Sequence, residues 1–301
     1  MQSNLVINAT DWSYQMSLFQ FFTGLLLLFF WVIRPLLYKP IAEYFPARQS
    51  VTFTAFYLIL GLAVTEPALG HLINFNGKNS LFSPYILISV YKGVGLFYLV
   101  TLQQIINKKS LSSSVFLGFI AMALGSLANN IFFNENIGLI KVLCICGFGI
   151  LGVLFIYKGD GKRLSRTDVS FFFITALIMA SFSVSDHVAI PQVGWYAHML
   201  VSSVVMCLMC LFYKDARNGF RIVFGDKKIV YAGIVYTLSE FLCIYASINI
   251  LPVSIVTVFL RLSIPAVMVI SAIKYKEQSI KNQIGFSLIA ILLALPIILM
   301  K

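Results

Sequence analysis

The feature that most constrains this chain is the recurrence of apolar runs about 20 residues long, from "SLFQFFTGLLLLFFWVI" near its start to "FSLIAILLALPIILM" at its end. A helix rises 1.5 Å per residue, so each such run is long enough to cross the hydrocarbon of a bilayer. Ten fit, near residues 17–38, 52–72, 84–107, 111–133, 137–157, 169–189, 194–213, 229–249, 251–273 and 283–300. Soluble domains carry about 25% charged residues; here the figure is 11%, with a mean hydropathy of +0.91. The chain reads as an integral membrane protein. Gly, Ser and Thr recur inside the runs and no polar–apolar alternation is sustained, which specifies helices and not a lipid-facing barrel. The expected fold is all-α with ten transmembrane helices.

The opening "MQSNLVINATDWSYQM" has no basic region of a cleavable leader, so the first run is expected to remain as a span. The five cysteines lie in apolar segments, where thiols act as small hydrophobes; Cys207 and Cys210 have no His or acidic neighbour, and no metal or cofactor site is expected. A net charge of +11 raises the question of nucleic acid, but the basic residues are scattered through short loops with no aromatic–basic patch, and no nucleic-acid partner is expected. Most of the 22 Lys and Arg residues fall in or beside the odd-numbered connections, from Arg34, Lys39 and Arg48 through Lys108, Lys109 and Lys214 to Lys274 and Lys276. The positive-inside rule then sets that basic face toward the cytoplasm and both termini opposite. The expected location is the plasma membrane, the inner membrane of a bacterial cell.

The stretch "NKKSLSSSVFLGFIAMALGSLANNIFFNENIGLIKVL" aligns roughly with "NILPVSIVTVFLRLSIPAVMVISAIKYKEQSIKNQIG". Each has a polar hinge, a long span with small residues near its middle, an acidic loop (Glu135, Glu277) and a closing span. Residues 1–157 and 169–301 are therefore read as two five-helix repeats joined by the basic linker 158–168. An odd number of helices per repeat inverts the second copy, an arrangement that recurs in transporters with the substrate site where the repeats meet.

Residues 250–294 carry a further pattern: Pro252 at the start of the ninth span, Pro265 within it, Glu277 after it, then Gly285 and the pair Leu288 and Ile289. In these positions the chain resembles the ten-helix, EamA-type members of the drug/metabolite transporter superfamily. The resemblance implies transport of a small molecule by an inverted-repeat bundle, and both termini in the cytoplasm, opposite to the charge bias.

A charge at a helix centre costs about 2.5 to 3.5 kcal/mol on insertion scales, so each intramembrane ionisable residue is a functional candidate. Glu240 and Arg261 lie about ten residues either side of the turn near Asn249, level in depth and within reach of an ion pair. Glu66 and Lys92 are level across the turn near Asn79, and Asp186, with His187 beside it, is level with His198 across the turn at Pro191. These depths imply a polar cavity opening toward the even-numbered loops. Pro265 has no N–H and crowds the Arg261 carbonyl four residues earlier, adding polarity there.

The resulting expectation is a secondary transporter of a small polar or zwitterionic, amino-acid-like metabolite, working by alternating access, with a proton as the candidate coupling ion. Arg261 and Lys92 would receive an anionic group, Glu240 and Glu66 an ammonium group or the proton; Asp186, His187 and His198 are secondary candidates. Two rivals are a flippase for a lipid-linked head group and a membrane-embedded acyl or glycosyl transferase using His71, Asp186, His187 or His198. Against the enzyme, the sequence offers no nucleophile with its base and no phosphate-cradling Gly loop. The oligomeric state is open.

Overall fold

A computed structural model describes residues 17–68, 83–133, 138–158, 165–251, 253–277 and 280–299. Among them are eleven helices and no strand: α1 (Leu18–Tyr44), α2 (Ala47–Ala68), α3 (Ile86–Lys109), α4 (Leu111–Phe133), α5 (Leu139–Lys158), α6 (Arg166–Val193), α7 (Trp195–Phe212), α8 (Lys214–Ile222), α9 (Lys227–Asn249), α10 (Val253–Lys274) and α11 (Ile280–Leu299). Six of these, α1, α2, α3, α4, α6 and α7, are long and apolar enough to cross a membrane. The protein is thus a multi-pass helical membrane protein. Each of the ten expected segments contains one long helix.

Local chemistry sets several boundaries. Ser17 and Gln20 form a reciprocal capping box that starts α1, Ser165 and Asp168 do the same for α6, and the Asp226 carboxylate accepts from the Lys228 N–H to open α9. Several boundaries differ from expectation: α2 starts at Ala47 and not at 52, and two helices run through prolines. The first span was expected to end at 38, but α1 runs on through Pro40 to Tyr44, which draws Lys39 out of the connection and into the helix. Likewise α6 runs through Pro191 to Val193, and the chain turns into α7 at Gly194, whose φ of +82° suits a residue without a Cβ. The nine-residue α8 occupies what reads as a loop.

The most extensive helix pairings are α4 with α6, α3 with α7 and α6, α10 with α1 and α11, and α1 with α9. Apolar burial gives no drive between helices in lipid, so these contacts rest on fit and hydrogen bonds. The largest apolar core joins α4, α5, α6, α10 and α11, with Phe116 stacked on Phe155 at 4.2 Å and Phe119 on Phe148 at 5.7 Å between ring centres. At the basic face, buried Glu277 accepts from the Leu111 and Ser112 N–H groups at 2.9 and 3.0 Å, occupying donors left open at the start of α4. Buried Lys39 donates to the Asn107 and Lys108 carbonyls at the end of α3 and stands 3.3 Å from Glu277. One ion pair therefore clasps α1 and the α10–α11 connection around the α3–α4 turn.

Candidate functional site

Residues 31, 34, 35 and 38 recur at helical spacing, so Trp31, Arg34, Pro35 and Tyr38 share one face of α1. That face borders a cavity of about 310 Å³, which α3, α4, α9 and α10 close with Gln103, Gln104, Asn107, Gly118, Tyr236 and Arg261. The lining of α3 and α4 comes from the halves nearest the basic face. The cavity therefore lies toward the odd-numbered connections, a correction to the opening toward the even side inferred from charge depth alone. A second hollow of about 420 Å³ at the basic face, beside Tyr44, Pro46 and Lys108, shares Gln104 with it.

The two cavity arginines differ. Arg34 Nη1 sits 2.5 Å from Glu240 Oε1, and its guanidinium lies 3.7 Å over the Tyr236 ring and 4.7 Å from the Trp31 ring. Its charge is neutralised by one carboxylate and faced by two π-systems. Arg261 donates from Nη1 to the Gly118 carbonyl at 3.0 Å, its Nε is buried without an acceptor, and no described carboxylate pairs with it. Gly118 permits this approach: a Cβ there would stand 3.2 Å from that Nη1. The expected pair of Glu240 with Arg261 does not form, because α1 packs on α9 and brings Arg34 to Glu240. Three further buried polar atoms of the lining lack partners: Trp31 Nε1, Gln104 Oε1 and Asn107 Oδ1.

The remaining candidates assemble elsewhere. Lys92 Nζ lies 2.6 Å from Asp186 Oδ1, the same oxygen receives His198 Nε2 at 2.8 Å, and His198 Nδ1 meets Ser89 Oγ at 2.7 Å. The side chain of Lys92 is 9% exposed and that of His198 fully buried, so His198 is not an interfacial group. His187 points away and stacks on Phe133, 4.1 Å between ring centres. Glu66 lies in α2, but its side chain, like all of His71, is outside the described residues, and so is its expected pairing with Lys92; the described partner of Lys92 is Asp186. Lys92 is eight residues, about 12 Å, along α3 from Val100 on the cavity wall. Between them Phe182 packs on Gly95, where a Cβ would be 2.7 Å from the ring.

Ser89, His198 and Asp186 form a nucleophile–base–carboxylate line that the sequence did not reveal, since the three come from α3, α7 and α6. Ser89 is fully buried and outside the cavity lining, which leaves it no room for an acyl donor. Sequence reasoning missed Arg34 as a site residue because Pro35 and Lys39 read as the end of a span; the spacing of Trp31, Arg34 and Tyr38 was the signal available. Gln104 and Asn107 carried no such signal. Among known proteins, no family model matches the chain and no curated protein is significantly similar to it.

Proposed function

We propose that the protein is a secondary active transporter that moves a small polar metabolite across the membrane by alternating access, built from ten spanning helices in two inverted repeats. The observation that carries this reading is the cavity: bordered by helices of both halves, and containing an arginine with which no described carboxylate pairs. A buried charge of that kind is costly, and in membrane helices it marks a substrate or ion pathway. The volume of about 310 Å³, with Arg261, Gln103, Gln104 and Asn107 set among apolar side chains, favours a metabolite over a lipid-linked head group, which needs a long apolar groove open to the bilayer. The enclosure of Ser89 weighs against the transferase.

The packing pattern supports the repeat. Exchanging α1–α5 with α6, α7, α9, α10 and α11 turns α1–α10 into α6–α4, α1–α9 into α6–α3, and α2–α9 into α7–α3, all of them observed pairings. It leaves α2–α7, α4–α10 and α5–α11 unchanged, as a two-fold relation requires. The helix α8 stands outside this scheme. The resemblance of residues 250–294 to EamA-type transporters points the same way. In this reading Lys92 and Asp186 hold the even end shut while the hollow beside Gln104 leads to the basic face.

The test is flux into liposomes containing the purified protein, using labelled amino acids and hydroxy acids under an imposed pH gradient. Wild-type uptake above empty vesicles, lost in Arg261→Ala and altered in Glu240→Gln, is the expected result. Unchanged flux in both variants removes the site.

A further inference from the structure

Among the described residues, Arg34 and Arg261 are the charged residues of the cavity lining, and no Asp or Glu belongs to it. Glu240 compensates Arg34 from behind the wall, at 2.5 Å. The site therefore holds one unmatched positive charge, on Arg261. Its Nε–H and the Trp31 Nε1–H are buried without acceptors, while Gln104 and Asn107 each have a buried amide oxygen without a donor.

From this we infer that the substrate is an organic monoanion, a carboxylate or a singly charged phosphate ester, carrying hydroxyl or amide donors on its other end, and not a zwitterion or a cation. The inference rests on the transporter reading and narrows its substrate. A guanidinium with free N–H groups recognises a planar or tetrahedral oxyanion through parallel charge-assisted hydrogen bonds. One negative charge brings the cavity to neutrality, and donors on the ligand satisfy Gln104 and Asn107. An ammonium group meets no carboxylate in the lining and would be buried unpaired, at a cost that opposes binding. A second negative charge has no counterpart while Glu240 occupies Arg34. The volume of about 310 Å³ is at the lower end for ligand cavities, which limits the anion to metabolite size.

The same geometry assigns Glu240 a specificity role. With Glu240→Gln the lining carries two uncompensated guanidiniums, and the preference should move from monoanions to dianions. A merely structural Glu240 would lower stability without reordering ligands.

The experiment is thermal stabilisation of the purified protein by matched probe sets that share a carbon frame: lactate, alanine and 2-aminopropanol; 2-hydroxyisocaproate, leucine and leucinol; phenyllactate, phenylalanine and phenylalaninol. Isobutyl phosphate at pH 5 separates phosphate from carboxylate recognition, and malate supplies the dianion. The expected result is stabilisation by at least one monoanion, with its zwitterion and cation about tenfold weaker or inactive. Arg261→Gln should abolish the effect, Arg261→Lys should retain part of it, and Glu240→Gln should bind malate better than the monoanion. Stabilisation by alanine, leucine or phenylalanine equal to that by the matching acid overturns the inference and leaves the transporter standing. So does a monoanion response that survives in Arg261→Gln. Silence of every probe with the wild type, together with no flux in liposomes, overturns the transporter reading itself.

Discussion

Two seams of the molecule, α3 against α6 and α9 against α1, occupy corresponding places in the proposed two-fold scheme and carry ion pairs of opposite polarity. In the first the cation, Lys92, is on α3 and the anion, Asp186, on α6; in the second the anion, Glu240, is on α9 and the cation, Arg34, on α1. Their surroundings differ more than their distances. Asp186 also receives His198, and the cluster is sealed from the cavity by Phe182 seated on Gly95. Arg34 borders the cavity and shares its charge with the faces of Tyr236 and Trp31. In the proposed scheme one seam is a closure and the other a compensated wall. Matched helix pairs would then set where charges can meet, while the neighbours decide what each pair does.

The comparison breaks most readily at the closure. Asp186→Asn leaves the Lys92 ammonium, 9% exposed, without a full counter-charge and should cost about 3 kcal/mol in denaturant unfolding, the low end for a broken buried pair because Asp186 is itself 35% exposed. Joint replacement, Lys92→Met with Asp186→Leu, should recover most of that loss; failure to recover would mean the seam depends on His198 and Ser89 instead. At the wall, Glu240→Gln should cost less, about 1 to 2 kcal/mol, since Arg34 keeps its aromatic neighbours. A cost equal to that of Asp186→Asn would erase the distinction.

Gly95→Ala sharpens the closure from the packing side. The added methyl must displace the Phe182 ring, and a net loss of about 1 kcal/mol is expected after the gain in helix propensity, read as a lower melting temperature. Arg261→Met should act in the opposite direction, raising stability by about 1 kcal/mol because it removes a buried, uncompensated charge, while ligand-induced stabilisation disappears. A destabilised Arg261→Met would make that arginine a structural residue.

Much of the fold was legible in the sequence, and the reasons are local. Helix boundaries followed apolar runs and capping residues such as Ser17 and Ser165. Two of the misread boundaries involve residues whose usual meaning is a break: Pro40 and Pro191 were absorbed into helices because neighbouring helices hold those turns in place. The site was less legible. Arg261 and Lys92 stood out as charges in apolar runs, and Asp186 does meet His198 across the turn as their depths implied; but Glu240 was assigned the wrong partner, the Lys92 contact of Asp186 was missed, and Gln104 and Asn107 look like ordinary polar residues near a helix end.

The sequence by itself determined that this chain is helical and membrane-embedded, where its long helices lie, and which ionisable groups are held at depth, because each of these depends on the composition of a single segment. Only the tertiary structure decided that Glu240 faces Arg34, that Asp186 gathers Lys92 and His198, and that Arg261 is left with a backbone carbonyl beside an open cavity. Depth along a helix can be counted from a turn. The direction a side chain faces, and which helix from the other half meets it there, arises from packing among segments far apart in the chain.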